Sequence, residues 1–278
     1  MMCRMLSVSR SGFYAWLKRP VSQRAQRRIK VGQAVEEAYI RYKKRYGAPR
    51  LTAELNADGI ACSVNHVATL LQERGLRARN GRGFRYRHRT EAKHNAYDNL
   101  LRRNFSAPAP NLKWVSDITY IRVGRKWLYL AAVLDLFSRK IVGWSLKNHM
   151  RESLIREALD MAVSNRDIRQ GTLLHSDRGV QYRGNEYQDA LNMYGIQCSM
   201  SRKGNCWDNA VMESFFSRFK VELIYAENYK TVDAARTGIF EYIELFYNRI
   251  RRHSAIGYDS PHEYEQQFNN LTVSTSRG

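Results

Sequence analysis

The chain's 278 residues, 44% hydrophobic with 17 Gly and 5 Pro, suffice for one large or two smaller globular domains and exclude a collagen-like or linker-dominated protein. Its 46 Lys and Arg against 26 Asp and Glu give a net charge of +20 and a pI near 10.0, which suits a polyanionic partner: DNA, RNA or an anionic membrane surface. No apolar run approaches the ~20 residues of a membrane span, Arg4 and Arg10 break a signal-peptide pattern, and Cys3, Cys62, Cys198 and Cys206 form no zinc-type pair, so a soluble cytoplasmic protein is expected, nucleoid-associated when on DNA.

In chain order, residues 1–29 read as a partial helix-turn-helix. Met2, Met5 and Leu6 give a short apolar face, Ser9 is a plausible N-cap, and Ser11–Lys18 can be a helix with Phe13, Trp16 and Leu17 as its core face. A small amphipathic hairpin packed on the rest fits the same residues. Residues 30–78 read as a helix-turn-helix-like DNA-binding domain. Val31, Val35, Ala38, Tyr39 and Tyr42 mark one helix, Leu51 and Leu55 a second, stopped by Gly59, and Val67, Leu70 and Leu71 a third, capped by Ser63 and ended at Gly75. The third helix opens with Asn65 and His66, residue types suited to reading a major groove. Residues 79–110 form a basic linker in which Arg82, Arg85, Arg87 and Arg89 alternate with Phe84 and Tyr86, a mixture that suits phosphate neutralisation and stacking.

Charge divides the chain at the Pro108–Pro110 stretch. Residues 1–110 hold 23 Lys and Arg against 7 Asp and Glu, and the remainder 23 against 19. A DNA-gripping arm joined to a carboxylate-using enzyme would have this distribution.

From residue 111 to 278 the pattern changes. Strands are expected at Trp114–Val123, Trp127–Leu136 and Lys140–Lys147, then a helix (Arg151–Ser164), a strand (Thr172–Ser176), a helix (Asn185–Tyr194), a strand (Ile196–Met200) and a long helix from about Asn209 to Tyr225. The order βββαβαβα is that of an α/β, RNase H-like mixed five-stranded sheet with flanking helices, here preceded by small all-α segments and followed by C-terminal helices.

Phosphoryl transfer on two metal ions needs acids from separate elements to converge. Asp117 lies midway along the first strand, Asp177 at the C-terminal end of the fourth, and Glu213 in the first turns of the long helix. At 100° per residue Asn209, Glu213, Ser217 and Lys220 share one polar stripe, with Lys220 about 10 Å beyond Glu213 and suited to hold a phosphate. A hairpin centred on Gly124-Arg125 pairs Asp117 near Ala132 and puts Asp135 on the other face. Asp208 reads as the helix N-cap, and Glu222 points away from the acids.

These residues carry a resemblance. Trp114-Val115-Ser116-Asp117-Ile118-Thr119-Tyr120, His175-Ser176-Asp177-Arg178-Gly179 with Gln181-Tyr182, Asn209-Ala210-Val211-Met212-Glu213-Ser214-Phe215-Phe216, and Tyr247-Asn248-Arg249 with Arg252-His253 are similar to the second-frame (OrfB, integrase-like) transposases of the IS-three family of bacterial insertion sequences. That group lies within the DDE retroviral integrase superfamily, and 35 residues separate Asp177 from Glu213, its usual spacing. The resemblance implies a transposase that cuts and transfers DNA strands at insertion-sequence ends. It implies Asp117, Asp177 and Glu213 as catalytic metal ligands, Lys220 as the basic residue seven positions on, and two Mg²⁺ ions with Mn²⁺ as substitute. It also implies double-stranded DNA, both terminal repeats and target, as partner, an upstream-frame protein (OrfA) or a fusion with it, and a homo-oligomer on DNA. A non-catalytic or decayed DNA-binding derivative is the alternative.

Overall fold

A computed structural model of the chain describes residues 2–79, 97–168, 170–202 and 206–275, which fall into two compact units, the chain dividing between residues 79 and 80. The first unit is all helical: α1 (Met2–Met5), α2 (Arg10–Leu17), α3 (Gln23–Arg41), α4 (Ala48–Ala57) and α5 (Val64–Glu73). Ser9, Ser22 and Ser63 each accept a backbone N–H three residues on, which satisfies one of the orphan donors that start a helix. Gly59 (φ 78°) and Gly75 (φ 65°) follow the ends of α4 and α5 in the left-handed region, where a Cβ is costly. Val31, Val35, Leu51, Leu55, Val67 and Leu70 form the core of α3–α5.

Two expectations for this unit are corrected. The helix read from Val31 starts at Gln23, because Arg24, Arg27, Arg28 and Lys30 favour helix without showing an apolar stripe. The α2 face expected to be core is not buried: Phe13, Trp16 and Leu17 are exposed, and the rings of Phe13, Tyr14 and Trp16 meet one another rather than a core.

The second unit is built on β1 (Lys113–Val123), β2 (Lys126–Asp135), β3 (Ile141–Lys147), β4 (Leu173–Ser176) and β5 (Gln197–Met200), ordered β3-β2-β1-β4-β5. The hairpin β1/β2 pairs Asp117 with Ala132, β2/β3 is antiparallel, and β4 and β5 run parallel to β1. One face is covered by α6 (Glu152–Asn165) and α7 (Asn185–Met193), which enclose Trp114, Ala131, Val133, Leu154, Leu159 and Leu191. Gly143 of β3 is required there: a Cβ would lie 2.1 Å from the Ala158 carbonyl oxygen of α6. Against the other face lies α8 (Ala210–Phe219), with Phe215 and Phe219 inward.

The long helix expected from Asn209 to Tyr225 is not uniform. After α8 the chain makes a π-helical segment at Lys220–Ile224, then α9 (Tyr225–Glu227). α10 (Val232–Phe240) runs into a second π segment at Glu241–Tyr247, and α11 (Pro261–Thr275) follows. These C-terminal elements are tied to one another and to the sheet through polar contacts. Glu222 accepts from Arg251 (2.7 Å) and Tyr242 (2.9 Å), all buried, and Asn248 both accepts from the N–H and donates to the carbonyl of Ile141 on β3.

The stretch from 97 to 110, read as linker, is bound to this unit. Leu101 is buried, Ser199 accepts from the N–H groups of Leu100 and Leu101, and Asn99 and Arg103 donate to Asp208. Among the described residues no helix is long and apolar enough to cross a membrane.

Candidate active site

The parallel pairing of β4 with β1 stops at Val115, and β4 itself ends at Ser176. Beyond that point β1 continues without β4 beside it, so side chains from both of its faces reach the same opening. The result is a cleft of about 690 Å³ whose lining includes Asp117, Tyr120, Trp127, Asp177, Gln181 and Tyr182. Ligand sites in α/β folds favour such carboxyl ends of parallel strands.

Asp117 and Asp177 thus share the cleft, each with one oxygen tied locally. Asp117 Oδ1 accepts the Ile118 N–H at 2.7 Å, and Asp177 Oδ1 accepts the Gly179 N–H at 2.9 Å. Withdrawal from water pushes the Asp117 carboxyl well above its usual range, and the charge of Asp177 adds to this. The Ile118 N–H opposes it, Glu213 raises it further and Lys220 lowers it. Glu213 therefore acts on Asp117 from α8 but is not among the residues lining the cleft. Among the described residues no three His, Cys, Asp or Glu side chains close into a ready ligand cage. The site offers three carboxylates, two of them in one cleft, with the charges of Asp177 and Glu213 both acting against the ionised form of Asp117.

Supporting groups hold the acids in place. Ser116 Oγ bonds the buried Tyr182 hydroxyl at 2.9 Å, across from Asp117 on β1. His175, buried on β4, meets Ser199 Oγ through Nδ1 (2.8 Å) and Ser201 Oγ through Nε2 (3.1 Å). Burial pushes its imidazole down to about 4 against the opposing charge of Asp208, so the ring is neutral near pH 7. Arg178 donates to the Ser201 carbonyl at 2.6 Å and fixes the turn after Asp177.

The remaining expected positions separate. Lys220 is only 8% exposed, and its Nζ lies 4.6 Å from the centroid of the Tyr120 ring. Burial lowers its pKa, with Asp117 opposing. Asn209 is 5% exposed and donates through Nδ2 to the Ser116 carbonyl at 3.2 Å, so it braces β1 rather than facing solvent as a DNA contact would. Asn65 is exposed and His66 half-buried at the start of α5. Arg82, Arg85, Arg87 and Arg89 lie outside the described residues.

Asp135 is committed elsewhere: it accepts from the N–H groups of Asn111 and Phe137 and pairs with Arg166, which also holds Glu265. Asp208 is not the α8 N-cap. It lies in a 3₁₀ turn one residue earlier and binds Asn99, Arg103 and Arg202, while Asn209 stands at the cap without a side-chain capping bond. The aromatic wall of Tyr120 and Trp127 was not anticipated. Its signal in the sequence was two large rings on a hairpin close to its turn, outside the acid spacing.

Residues 107–206 match the family model described as "Integrase core domain", residues 194–261 a second model with that description, and residues 26–84 the "HTH-like domain". Fold and site together define a DDE-type transposase/integrase enzyme. The InsF transposase of insertion sequence IS3A from Escherichia coli (strain K12) is 44% identical over 273 residues, covering 96% of this chain and 93% of its own. The uncharacterized 31 kDa protein of insertion element IS600 from Shigella sonnei is 38% identical over 274 residues, covering 98% and 100%. The chain belongs to the IS3 family of insertion-sequence transposases. The catalytic core of HTLV-2 integrase, solved in complex with magnesium, is 16% identical with a TM-score of 0.42, covering 57% of this chain and 98% of that one.

Proposed function

We propose that Asp117, Asp177 and Glu213 are the catalytic carboxylates of this transposase and that they bind divalent metal, two Mg²⁺ ions with Mn²⁺ able to substitute. The observation that carries the reading is the pair of aspartates opening on one cleft where β4 leaves β1, with the charge of Glu213 reaching Asp117. The donor set fits the ions: hard carboxylate oxygens suit Mg²⁺, and a cation would relieve the mutual repulsion that raises Asp117. A buried acceptor without a donor among the described residues, Asn209 Oδ1, adds a polar atom next to Ser116 that a bound water could satisfy.

When bound, the ions would polarise the attacking water or DNA 3′-hydroxyl and offset charge on the leaving 3′-oxygen. The chain's own residues position this chemistry. The Ile118 and Gly179 amides fix one oxygen of each aspartate, Ser116 with Tyr182 and His175 with Ser199 and Ser201 hold the strands that carry them, and Lys220 supplies positive charge beside Asp117 for a phosphate. Asn65, His66 and the arginines at 82, 85, 87 and 89 are proposed as contacts to double-stranded terminal-repeat DNA. The enzyme would work in the cytoplasm as a homo-oligomer on DNA with an upstream-frame partner or its fusion.

The test is substitution. Asp117→Asn, Asp177→Asn and Glu213→Gln should each abolish Mg²⁺-dependent cleavage and strand transfer while leaving DNA binding nearly intact. Substantial strand transfer by any of them would remove that acid from the ligand set.

A further inference from the structure

The wall of the cleft beside Asp117 carries a feature that phosphate chemistry does not require. Tyr120 on β1 and Trp127 on β2 are 51% and 47% exposed although both lie on a sheet, and both line the cleft that holds Asp117 and Asp177. They sit diagonally across the hairpin, since Tyr120 pairs with Tyr129 and Trp127 with Arg122. Their rings meet edge to face at 5.5 Å and 73°. The Nζ of Lys220 lies over the Tyr120 ring at 4.6 Å. The Tyr120 ring therefore touches both a cation and the second ring.

Exposed indole and phenol surface costs free energy in water and is commonly retained where a partner covers it. Here the surface lies within the cleft that holds the acids. Acid and aromatic surface line one cleft, and the cation that lies over the Tyr120 ring also acts on Asp117, so groups suited to a phosphate and to a base stand beside each other. Aromatic faces bind unpaired bases irrespective of their identity, because every base has a π-face.

We infer that Trp127 is a stacking platform for an unpaired base next to the scissile phosphate, with Tyr120 holding the indole in place and carrying Lys220 toward that phosphate. The inference rests on the reading of this cleft as the DNA-cutting centre. It gives that centre a substrate preference: DNA whose end is splayed or distorted, rather than continuous duplex. Unstacking a base costs a few kcal/mol in a regular duplex and least where pairing is already broken, so a platform of this kind favours ends and mismatches over internal sites.

The experiment uses the full chain and two DNA probes of one sequence, a blunt duplex and the same duplex with its terminal bases splayed by mismatches, each with 2-aminopurine at the terminal position. Ca²⁺ replaces Mg²⁺ so that binding is read without cutting. The chain should prefer the splayed probe and quench its 2-aminopurine as the base stacks. Trp127→Ala should lose the quenching and bind the splayed probe roughly ten-fold more weakly, with the blunt duplex changed less than about two-fold. Trp127→Phe should restore most of both. Unchanged quenching in Trp127→Ala, or an equal loss on both probes, would overturn the platform. Cutting in Mg²⁺ is scored separately: a chain that quenches through Trp127 but cleaves neither probe would count against the enzymatic reading and leave the platform standing.

Discussion

At the scale of single residues, neighbouring charges divide the labour. Lys220 is drawn out of water beside Asp117 and over an aromatic ring, a setting for a phosphate contact rather than a metal ligand. Lys220→Ala should weaken DNA binding and reduce the slope of log affinity against log salt by about 1, with metal affinity retained. A salt series on the variant, with a metal titration alongside, checks both. Asp208 shows the opposite balance. Burial alone would raise its carboxyl, but hydrogen bonds from Arg202 and Arg103 outweigh this and hold it well below the usual carboxylate range. A depressed folded-state pKa means that the stabilisation is fully present above the unfolded value, about 3.9, and is lost as pH falls toward the folded one. Asp208→Asn should thus be less stable than the parent at pH 7, and the gap should begin to narrow only as pH falls below about 4 toward the depressed folded value. Denaturant titrations at pH 7 and at a series of pH values below about 4 measure it.

At the scale of elements, the buried Glu222–Arg251 pair joins the π segment after α8 to the chain beyond the second π segment. Arg251→Met would leave Glu222 buried without its countercharge, a loss of about 3–5 kcal/mol by chemical denaturation. This pair also shows where sequence reading stops. The strands, the two aspartates and the Asp117–Ala132 register were legible because a period of two and a short hairpin fix which face each residue takes. Glu222 could be set aside as a catalytic acid from its angle on a helix, but its partner lies 29 residues on, and no local pattern announces that contact. The π segment was invisible for the same reason. One wider turn at Lys220 alters the 100° projection yet leaves composition unchanged. Phe13, Trp16 and Leu17 failed in the other direction, since an apolar stripe records what a helix could bury and not whether anything is there to receive it.

At the scale of the whole molecule, the two compact units divide between residues 79 and 80, and the residues from 97 that precede the proline stretch are bonded into the second unit, so the basic arm ends before that stretch. Residues 1–96 hold 21 Lys and Arg against 6 Asp and Glu, residues 97–278 hold 25 against 20, and Asn99 and Arg103 are bonded to Asp208. A fragment of residues 1–96 should bind duplex DNA with a steep salt dependence, whereas one of residues 97–278 should bind more weakly with a shallower slope. Equal slopes in a salt series on the two fragments would contradict this division. The same accounting of backbone partners extends to the outer strands of the sheet. An edge strand is a template on which a foreign strand can add, and a sheet left open at its margins invites chain-to-chain aggregation. Asn248 occupies that template on β3 with a side-chain amide that takes both the N–H and the carbonyl of Ile141, and on β5 the Met200 N–H is taken by the Asp98 carbonyl. An amide side chain cannot itself be extended by another strand. The protein therefore blunts a sticky margin with a group that ends the ladder where it begins, and copies of the chain can crowd together without zipping their sheets at that position.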